Sequence, residues 1–169
     1  MTRISSRSTT SPVFAFNHMA TPLGRMLLAA HGPALIGAWF EGQKDYPDTT
    51  AWQRVQHHPV IDDAKEQLKA YFAGERHHFD INTAFAWGTP FQHAVWSALL
   101  DIGHGHTCSY SDVAERIGKP SAVRAVGGAI GLNPISVIVP CHRVLGRHGA
   151  LTGYAGGLER KRALLLLEQ

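Results

Sequence analysis

The sequence has very few cysteines and no long apolar run, and both absences exclude whole classes of protein. Only Cys108 and Cys141 occur in 169 residues, so neither a disulfide scaffold nor a cysteine-rich zinc site is expected. No stretch is long enough to cross a bilayer, and the N-terminus lacks the apolar core of a secretion signal. Two thiols without such a signal predict a reducing, cytoplasmic setting.

Histidine is abundant, but its spacing argues against a metal site. The eleven histidines occur singly or as adjacent pairs such as His57-His58, and none follows the HExxH spacing of a zinc-binding helix. Adjacent histidines seldom point at one ion. We therefore expect no metal and no cofactor, and we expect most of these histidines to be surface residues.

The positive charge is concentrated in the second half of the chain. Residues 1–84 carry eight Lys and Arg against eight Asp and Glu, whereas residues 85–169 carry eight against five. This distribution is compatible with a phosphate-facing surface in the second half. Many basic surfaces bind nothing, so charge alone does not identify the partner.

The hydrophobic pattern predicts an α+β protein with two domains after a flexible tail at residues 1–11. In the N-terminal domain (12–84), apolar runs at residues 13–19, 25–30 and 34–41 are separated by Gly and Pro, which favours a small antiparallel sheet. A helix is predicted at residues 61–73. The C-terminal domain (85–169) is predicted to be mainly helical, and Thr89-Pro90 is a typical helix start.

Two short helices in the C-terminal domain predict a helix-turn-helix. Ser109 and Asp112 fit a capping box, and Gly118 is a suitable end for the first helix. The second, at residues 122–131, is mostly Ala, Gly and Val with a single cation, Arg124. This smooth face could approach a DNA minor groove closely, with Arg124 inserted into the base stack. Tight packing between helices is the alternative explanation of the small residues, and the helix-turn-helix pattern alone favours it, because that pattern is not specific.

The segment that carries chemistry is Pro140-Cys141-His142-Arg143-Val144, which follows an apolar, strand-like run at residues 135–139. Five glycines between residues 146 and 157 come next, and a glycine-rich loop leaves room for a ligand and frees backbone N–H groups. A neighbouring His or Arg favours the reactive thiolate. Cys141 is therefore a candidate nucleophile.

Residues 140–144 resemble the active-site signature of the O6-alkylguanine-DNA alkyltransferases, also called methylated-DNA–protein-cysteine methyltransferases. The resemblance extends over nearly the whole second half, through residues 88–92, 109–110, 124–127, 133–134 and 151–158, and more loosely to residues 21–24 and 71–74. The pattern is similar to the bacterial stand-alone form. It implies a ribonuclease-H-like N-terminal domain and a helix-turn-helix in the C-terminal domain. Some relatives bind zinc through N-terminal cysteines, which this chain lacks.

The resemblance implies that the protein repairs alkylated DNA directly. Cys141 would be the nucleophile and the permanent acceptor of the alkyl group. His142 would act as its base through a bound water, oriented by Glu168. Asn133 would hold the turns around the site, and Tyr110 would donate a proton to the departing guanine.

The resemblance also implies a set of contacts with double-stranded DNA and with a base flipped out of it. The implied DNA-binding residues are Arg124, Ala125, Gly127, Gly128 and Arg143. The implied base pocket comprises Tyr110, Val144, Tyr154, Ala155 and Gly156. The expected substrate is O6-alkylguanine, and also O4-alkylthymine. The protein would act once per molecule as a monomer, without a metal, a cofactor or a membrane.

Two other hypotheses use the same residues. Cys141, His142 and Glu168 would suit a cysteine hydrolase, which leaves Arg124 and Tyr110 unexplained. A non-catalytic, damage-sensing DNA binder would account for the helix-turn-helix but not for an intact Pro-Cys-His-Arg signature. Repeated turnover would support hydrolysis, whereas one stoichiometric event on DNA would support alkyl transfer. Cys108 lies outside the signature and is interpreted as structural or incidental.

Overall fold

The computed structural model describes residues 13–169, so the tail predicted at residues 1–11 lies outside the described part of the chain. The first half forms a four-stranded sheet, with strands β1 (Ala15–Thr21), β2 (Gly24–His31), β3 (Ala34–Phe40) and β4 (Gln53–Arg54). The strand order in the sheet is β3-β2-β1-β4. The first three are antiparallel neighbours, which confirms the predicted sheet, and β4 pairs in parallel with β1. Two residues are too few to leave a hydrophobic pattern, so β4 was not predicted.

Helix α1 (Pro59–Phe72) covers one face of this sheet. It begins two residues before the predicted start because Pro59 occupies the first turn, where a missing N–H costs nothing. Ile61 and Leu68 of α1 are fully buried in one cluster with Met26 and Leu28 of β2. Burying each such side chain contributes about 1.5–3 kcal/mol. The opposite face of the sheet carries a second cluster that is rich in aromatic rings.

The second half is mainly helical, as predicted. Its helices are α2 (Pro90–Leu99), α3 (Tyr110–Arg116), α4 (Val123–Gly131) and α5 (Leu158–Leu167). Capping boxes at Thr89 and Ser109 begin α2 and α3, because each side chain accepts from the backbone N–H three residues later. Helices α3 and α4 pack against each other and are joined by residues 117–122. No helix within residues 13–169 has the length and apolar character needed to span a membrane.

The strand-like run predicted at residues 135–139 is not a strand, and this prediction was wrong. The segment folds into buried turns, with a single bridge from Ile135 to Ala38 of β3. Hydrogen bonds from Ala38 N to Pro134 O and from Ser136 N to Ala38 O, both 2.9 Å, attach it to the sheet. A continuous apolar run shows burial but not strand geometry, because a buried turn is equally apolar. Val137 has φ 72°, a conformation that β-branched residues rarely adopt.

Two short strands place the start of α3 beside the Cys141 segment. Strand β5 (Cys108–Ser109) pairs in parallel with β6 (Val144–Leu145), and Cys108 lies opposite Val144. Tyr110, the first residue of α3, follows β5 directly. Residues far apart in the chain are thereby brought to one site.

Candidate active site

Cys141 begins a 3₁₀ turn (Cys141–Arg143) and is buried, with 5% of its surface exposed. Asn133 fixes the turns that precede it. The Asn133 side chain accepts from Ile135 N at 3.0 Å and donates to Val139 O at 2.9 Å. Because the buried Asn133 amide bonds both the Ile135 N–H and the Val139 carbonyl, it holds this stretch of backbone in one conformation. Asn133 therefore occupies the position expected of a residue that holds the site together.

Glu168, which follows α5, is surrounded by hydrogen-bond donors. Its Oε1 accepts from His142 Nε2 at 2.8 Å, from Tyr71 Oη at 2.6 Å and from Arg143 Nη2 at 2.9 Å. Its Oε2 accepts from Arg143 Nε at 2.9 Å. Burial would raise the pKa of Glu168, but the hydrogen bonds from His142, Arg143 and Tyr71 outweigh it and hold the pKa far below its usual range. Glu168 is thus a buried anion at neutral pH.

The contact with Glu168 determines which nitrogen of His142 carries the proton. An ionised carboxylate can only accept, so Nε2 is the N–H and Nδ1 has the lone pair. Nδ1 is buried and has no hydrogen-bond partner among the described residues. Burial lowers the pKa of His142 more than Glu168 raises it, so the imidazole is neutral at neutral pH. His142 can therefore accept a proton at Nδ1.

Cys141 needs a base to remove its thiol proton. Burial raises the pKa of the Cys141 thiol, and the opposing effects of the Asn133 amide and the Lys161 ammonium are smaller. The thiol is therefore protonated at neutral pH, whereas the thiolate is the nucleophilic form. Reaction at Cys141 requires that its proton leave as the sulfur attacks.

Arg143 does not have the position expected of a DNA contact, and that prediction is corrected. The residue is buried, with 6% exposed, and its guanidinium donates to both oxygens of Glu168 and to Ile102 O. All three donor nitrogens face the protein interior in this arrangement. Arginine suits this position because its planar fork matches a carboxylate. Arg143 positions Glu168, and through it His142.

Tyr71, on α1 of the first half, is a site residue that the sequence did not reveal. Its hydroxyl donates to Glu168 from the opposite domain, and the ring is buried. Burial and the neighbouring carboxylate raise the pKa of Tyr71, so it remains a donor. No local pattern distinguishes Tyr71 from a core aromatic residue.

Lys161, on α5, is a second residue that the sequence did not reveal. The side chain is fully buried, and Nζ donates to Val144 O at 2.6 Å, Thr152 O at 2.7 Å and Gly153 O at 3.1 Å. Burial lowers the pKa of Lys161 to about 8. The ammonium ties the glycine-rich loop to the segment after Cys141. One signal was available, since Lys161 shares one face of α5 with the apolar Leu164.

A cavity of about 300 Å³ lies between α4 and the glycine-rich loop. Three predicted pocket residues line it, namely Tyr110, Tyr154 and Ala155, together with Gly127. Tyr110 Oη donates to Thr152 O at 3.1 Å. Burial raises the pKa of Tyr110, so its hydroxyl is protonated at neutral pH.

The other two predicted pocket residues do not line this cavity. Val144 is buried, and its carbonyl already accepts from Lys161. Gly156 is buried against Tyr154, because a Cβ there would lie 2.7 Å from Cε1 of that ring. Gly156 therefore packs against Tyr154, which lines the cavity.

Helix α4 presents a smooth exposed face beside this cavity. Arg124, Ala125 and Gly128 are exposed, and a Cβ on Gly128 would meet nothing within 4 Å. Gly127 faces the ring of Tyr110, where a Cβ would make ordinary contact at 3.7 Å. The single long side chain among these four residues is that of Arg124.

The Glu168 cluster predicts a loss of stability in acid. Because the folded pKa values of His142 and Glu168 are both lowered, the unfolded chain binds protons that the folded protein does not. We expect the free energy of unfolding to fall as the pH drops below about 6.5, more steeply below about 4.3, by roughly 2 kcal/mol or more in total. Urea denaturation between pH 4 and pH 8 measures this.

A matched pair of variants tests the assignment to His142. In His142→Gln the first part of the fall should become smaller without vanishing, because burial also lowers the pKa values of His18 and His104. His57→Gln, whose side chain is 89% exposed, should show the wild-type profile. Wild-type stability that stays constant down to pH 4 would contradict the protonation states assigned here.

Comparison with known proteins agrees with the resemblance seen in the sequence. Residues 16–85 match the family model of the 6-O-methylguanine DNA methyltransferase ribonuclease-like domain, and residues 90–169 match that of the DNA binding domain. A methylated-DNA–protein-cysteine methyltransferase of Mycobacterium tuberculosis is 49% identical over 88% of each chain. One from Haemophilus influenzae is 42% identical over 91% of this chain and 86% of its own.

A solved structure of a relative has the same fold as this chain. The crystal structure of M. tuberculosis OGT in complex with DNA superposes with a TM-score of 0.84 at 47% identity, covering 91% of this chain and 92% of that chain. The two family models together span both halves of the described chain. The chain belongs to the 6-O-methylguanine DNA methyltransferase family.

Proposed function

We propose that this protein repairs double-stranded DNA by moving the alkyl group of O6-alkylguanine irreversibly onto Cys141. One observation carries the proposal: a buried thiol is followed by a histidine whose Nε2 is bonded to an anionic Glu168 and whose Nδ1 is free to accept a proton. This is the arrangement of nucleophile, base and orienting carboxylate found in cysteine enzymes. The family membership and the DNA complex of a close relative support DNA as the substrate.

The proposed reaction is an in-line displacement at the alkyl carbon. The Cys141 proton passes through one water molecule to Nδ1 of His142, and the sulfur attacks the carbon. The bond from carbon to O6 breaks, and guanine departs as Tyr110 donates a proton to it. Water does not readily cleave the thioether that forms, so each molecule reacts once. O4-alkylthymine presents the same alkyl–oxygen bond and is included as a second substrate.

The damaged nucleotide must leave the duplex, because Cys141 is buried beneath the protein surface. Rotating a nucleotide out costs a few kcal/mol. We propose that α3 and α4 act as a helix-turn-helix on the minor groove. Ala125, Gly127 and Gly128 allow close approach to the backbone, and Arg124 fills the gap in the base stack. The cavity lined by Tyr110, Tyr154 and Ala155 then receives the base.

The setting of the reaction is part of the proposal. Cys108 and Cys141 are both free thiols, which suits a reducing compartment, and we place the protein in the cytoplasm as a monomer. The proposed chemistry uses no metal and no cofactor. The described residues contain no group of three potential metal ligands.

The intact mass of the protein after mixing with DNA tests the proposal. With a duplex that contains one O6-methylguanine, we expect each molecule to gain the mass of one methyl group, mapped by fragmentation to Cys141. With a large excess of duplex, repair should stop at one equivalent. Turnover beyond one equivalent would identify a hydrolase. Tight binding to the damaged duplex without any mass gain would identify a damage sensor.

A further inference from the structure

A second cavity, of about 490 Å³, lies on the face of the sheet opposite α1. Five aromatic side chains line it, and we call four of them, Phe14, Trp39, Trp52 and Trp87, the aromatic wall; the fifth is Trp96. Trp39 and Trp87 are nearly parallel, with centroids 6.1 Å apart. Trp52 lies 6.0 Å from Trp39 and 6.3 Å from Trp87. The size of this cavity is that of a small-molecule site.

The aromatic wall is only partly covered by protein. Trp39 is 4% exposed, but Trp87 is 37% exposed and Trp52 is partly exposed. Indole rings are the most favourable aromatic surface for a cation, because the face of the ring carries negative potential. A solvent-accessible group of indoles that lines a concavity therefore differs from an ordinary aromatic core.

The charge of the lining has one sign. Asp45 and Asp48 border the same cavity, and within the described range no Lys, Arg or His lines it. The hydrogen bond from Thr50 N to Asp48 Oδ1, at 2.9 Å, lowers the pKa of Asp48, so this carboxylate is ionised at neutral pH. Two negative charges beside indole faces disfavour phosphates and nucleotides and favour a positively charged ligand.

We propose that this cavity is a binding site for a small organic cation with an alkylated ammonium group, held between the aromatic wall and the carboxylates of Asp45 and Asp48. The indoles attract the cation and accommodate its alkyl groups, and the carboxylates neutralise its charge. The site is separate from the cavity lined by Tyr110, Tyr154 and Ala155. Asn133 is the one residue of the Cys141 site that lines it, and neither Cys141 nor His142 does. It does not depend on the alkyl-transfer reaction.

Choline is the probe that tests the proposal, together with its uncharged isostere in which a tert-butyl group replaces the trimethylammonium group. Calorimetry and tryptophan fluorescence of the full chain should show saturable binding of choline. The isostere has the same shape but no charge, and should bind at least about tenfold more weakly. Equal affinities would show an apolar cavity with no preference for cations, and no binding of choline would also overturn the proposal.

Variants assign the binding to this cavity. Trp87→Leu keeps an apolar side chain but removes the ring, and it should weaken choline binding about tenfold. The double variant Asp45→Asn with Asp48→Asn should also weaken it, whereas Asp101→Asn, an exposed carboxylate elsewhere, should not. If Trp87→Leu lowers the melting temperature, the double asparagine variant becomes the deciding test of the binding site. Asp45 and Asp48 are exposed, so their substitution should leave the fold intact. Unchanged affinity in that pair would overturn the proposal.

Discussion

Replacing Cys141 with serine is expected to slow alkyl transfer from O6-methylguanine DNA by at least about 10³-fold, because a hydroxyl is a far weaker nucleophile than a thiol at neutral pH. His142 cannot compensate, since its lowered pKa makes it a weak base for a serine hydroxyl. Serine differs from cysteine by one atom, so the variant should fold and should still bind the duplex. Intact mass over time measures the rate, and a gel-shift assay measures binding.

Cys108 provides the matched control for this result. It is the second thiol of the chain, half-buried, and burial raises its pKa. Cys108→Ser should therefore accept methyl groups at the wild-type rate. A serine variant at residue 141 that still gains a methyl group, together with loss of the gain in Cys108→Ser, would move the acceptor to Cys108.

The local features of the C-terminal domain could be predicted because they depend on neighbouring residues. The capping boxes at Thr89 and Ser109 need only a side chain and a backbone N–H three residues away. The small-residue face around Arg124 follows from helical periodicity. The signature around Cys141 is contiguous in sequence.

The surroundings of Glu168 could not be predicted, because they depend on long-range packing. Tyr71 reaches Glu168 across 97 residues of sequence, and Lys161 reaches Val144 across 17. From the local sequence alone, a tyrosine in a helix is interpreted as a core residue, and a lysine in another helix is interpreted as a surface residue. Only the packed structure shows that both side chains are buried donors.

Arg143 is the most informative of the residues whose observed position differs from the predicted one. Beside a nucleophile in a basic domain, an arginine is naturally assigned to phosphate binding. The 3₁₀ turn at residues 141–143 instead directs the Arg143 side chain inward, where it pairs with Glu168. Without a charge partner, the buried carboxylate of Glu168 would cost several kcal/mol. The positive charge of Arg143 is therefore used within the protein, whereas Arg124 is exposed on α4.

Substitution by methionine should affect stability and methyl transfer differently at Arg143 and at Arg124. Arg143→Met is expected to lower the free energy of unfolding by about 3–5 kcal/mol, because it leaves Glu168 buried without its main charge partner. It should also slow methyl transfer from both a duplex and a free O6-alkylguanine base, since His142 loses its fixed orientation. Urea denaturation and intact mass measure the two effects.

Arg124→Met should leave the stability unchanged, because its side chain is exposed on α4. It should slow transfer from the duplex but not from the free base, since the proposed role of Arg124 is to fill the gap left by the extruded nucleotide. The comparison separates support of the reacting residues from contact with DNA. If Arg143→Met kept full stability and lost only the reaction with duplex, Arg143 would be a DNA contact after all, and the arrangement around Glu168 would have to open when DNA binds.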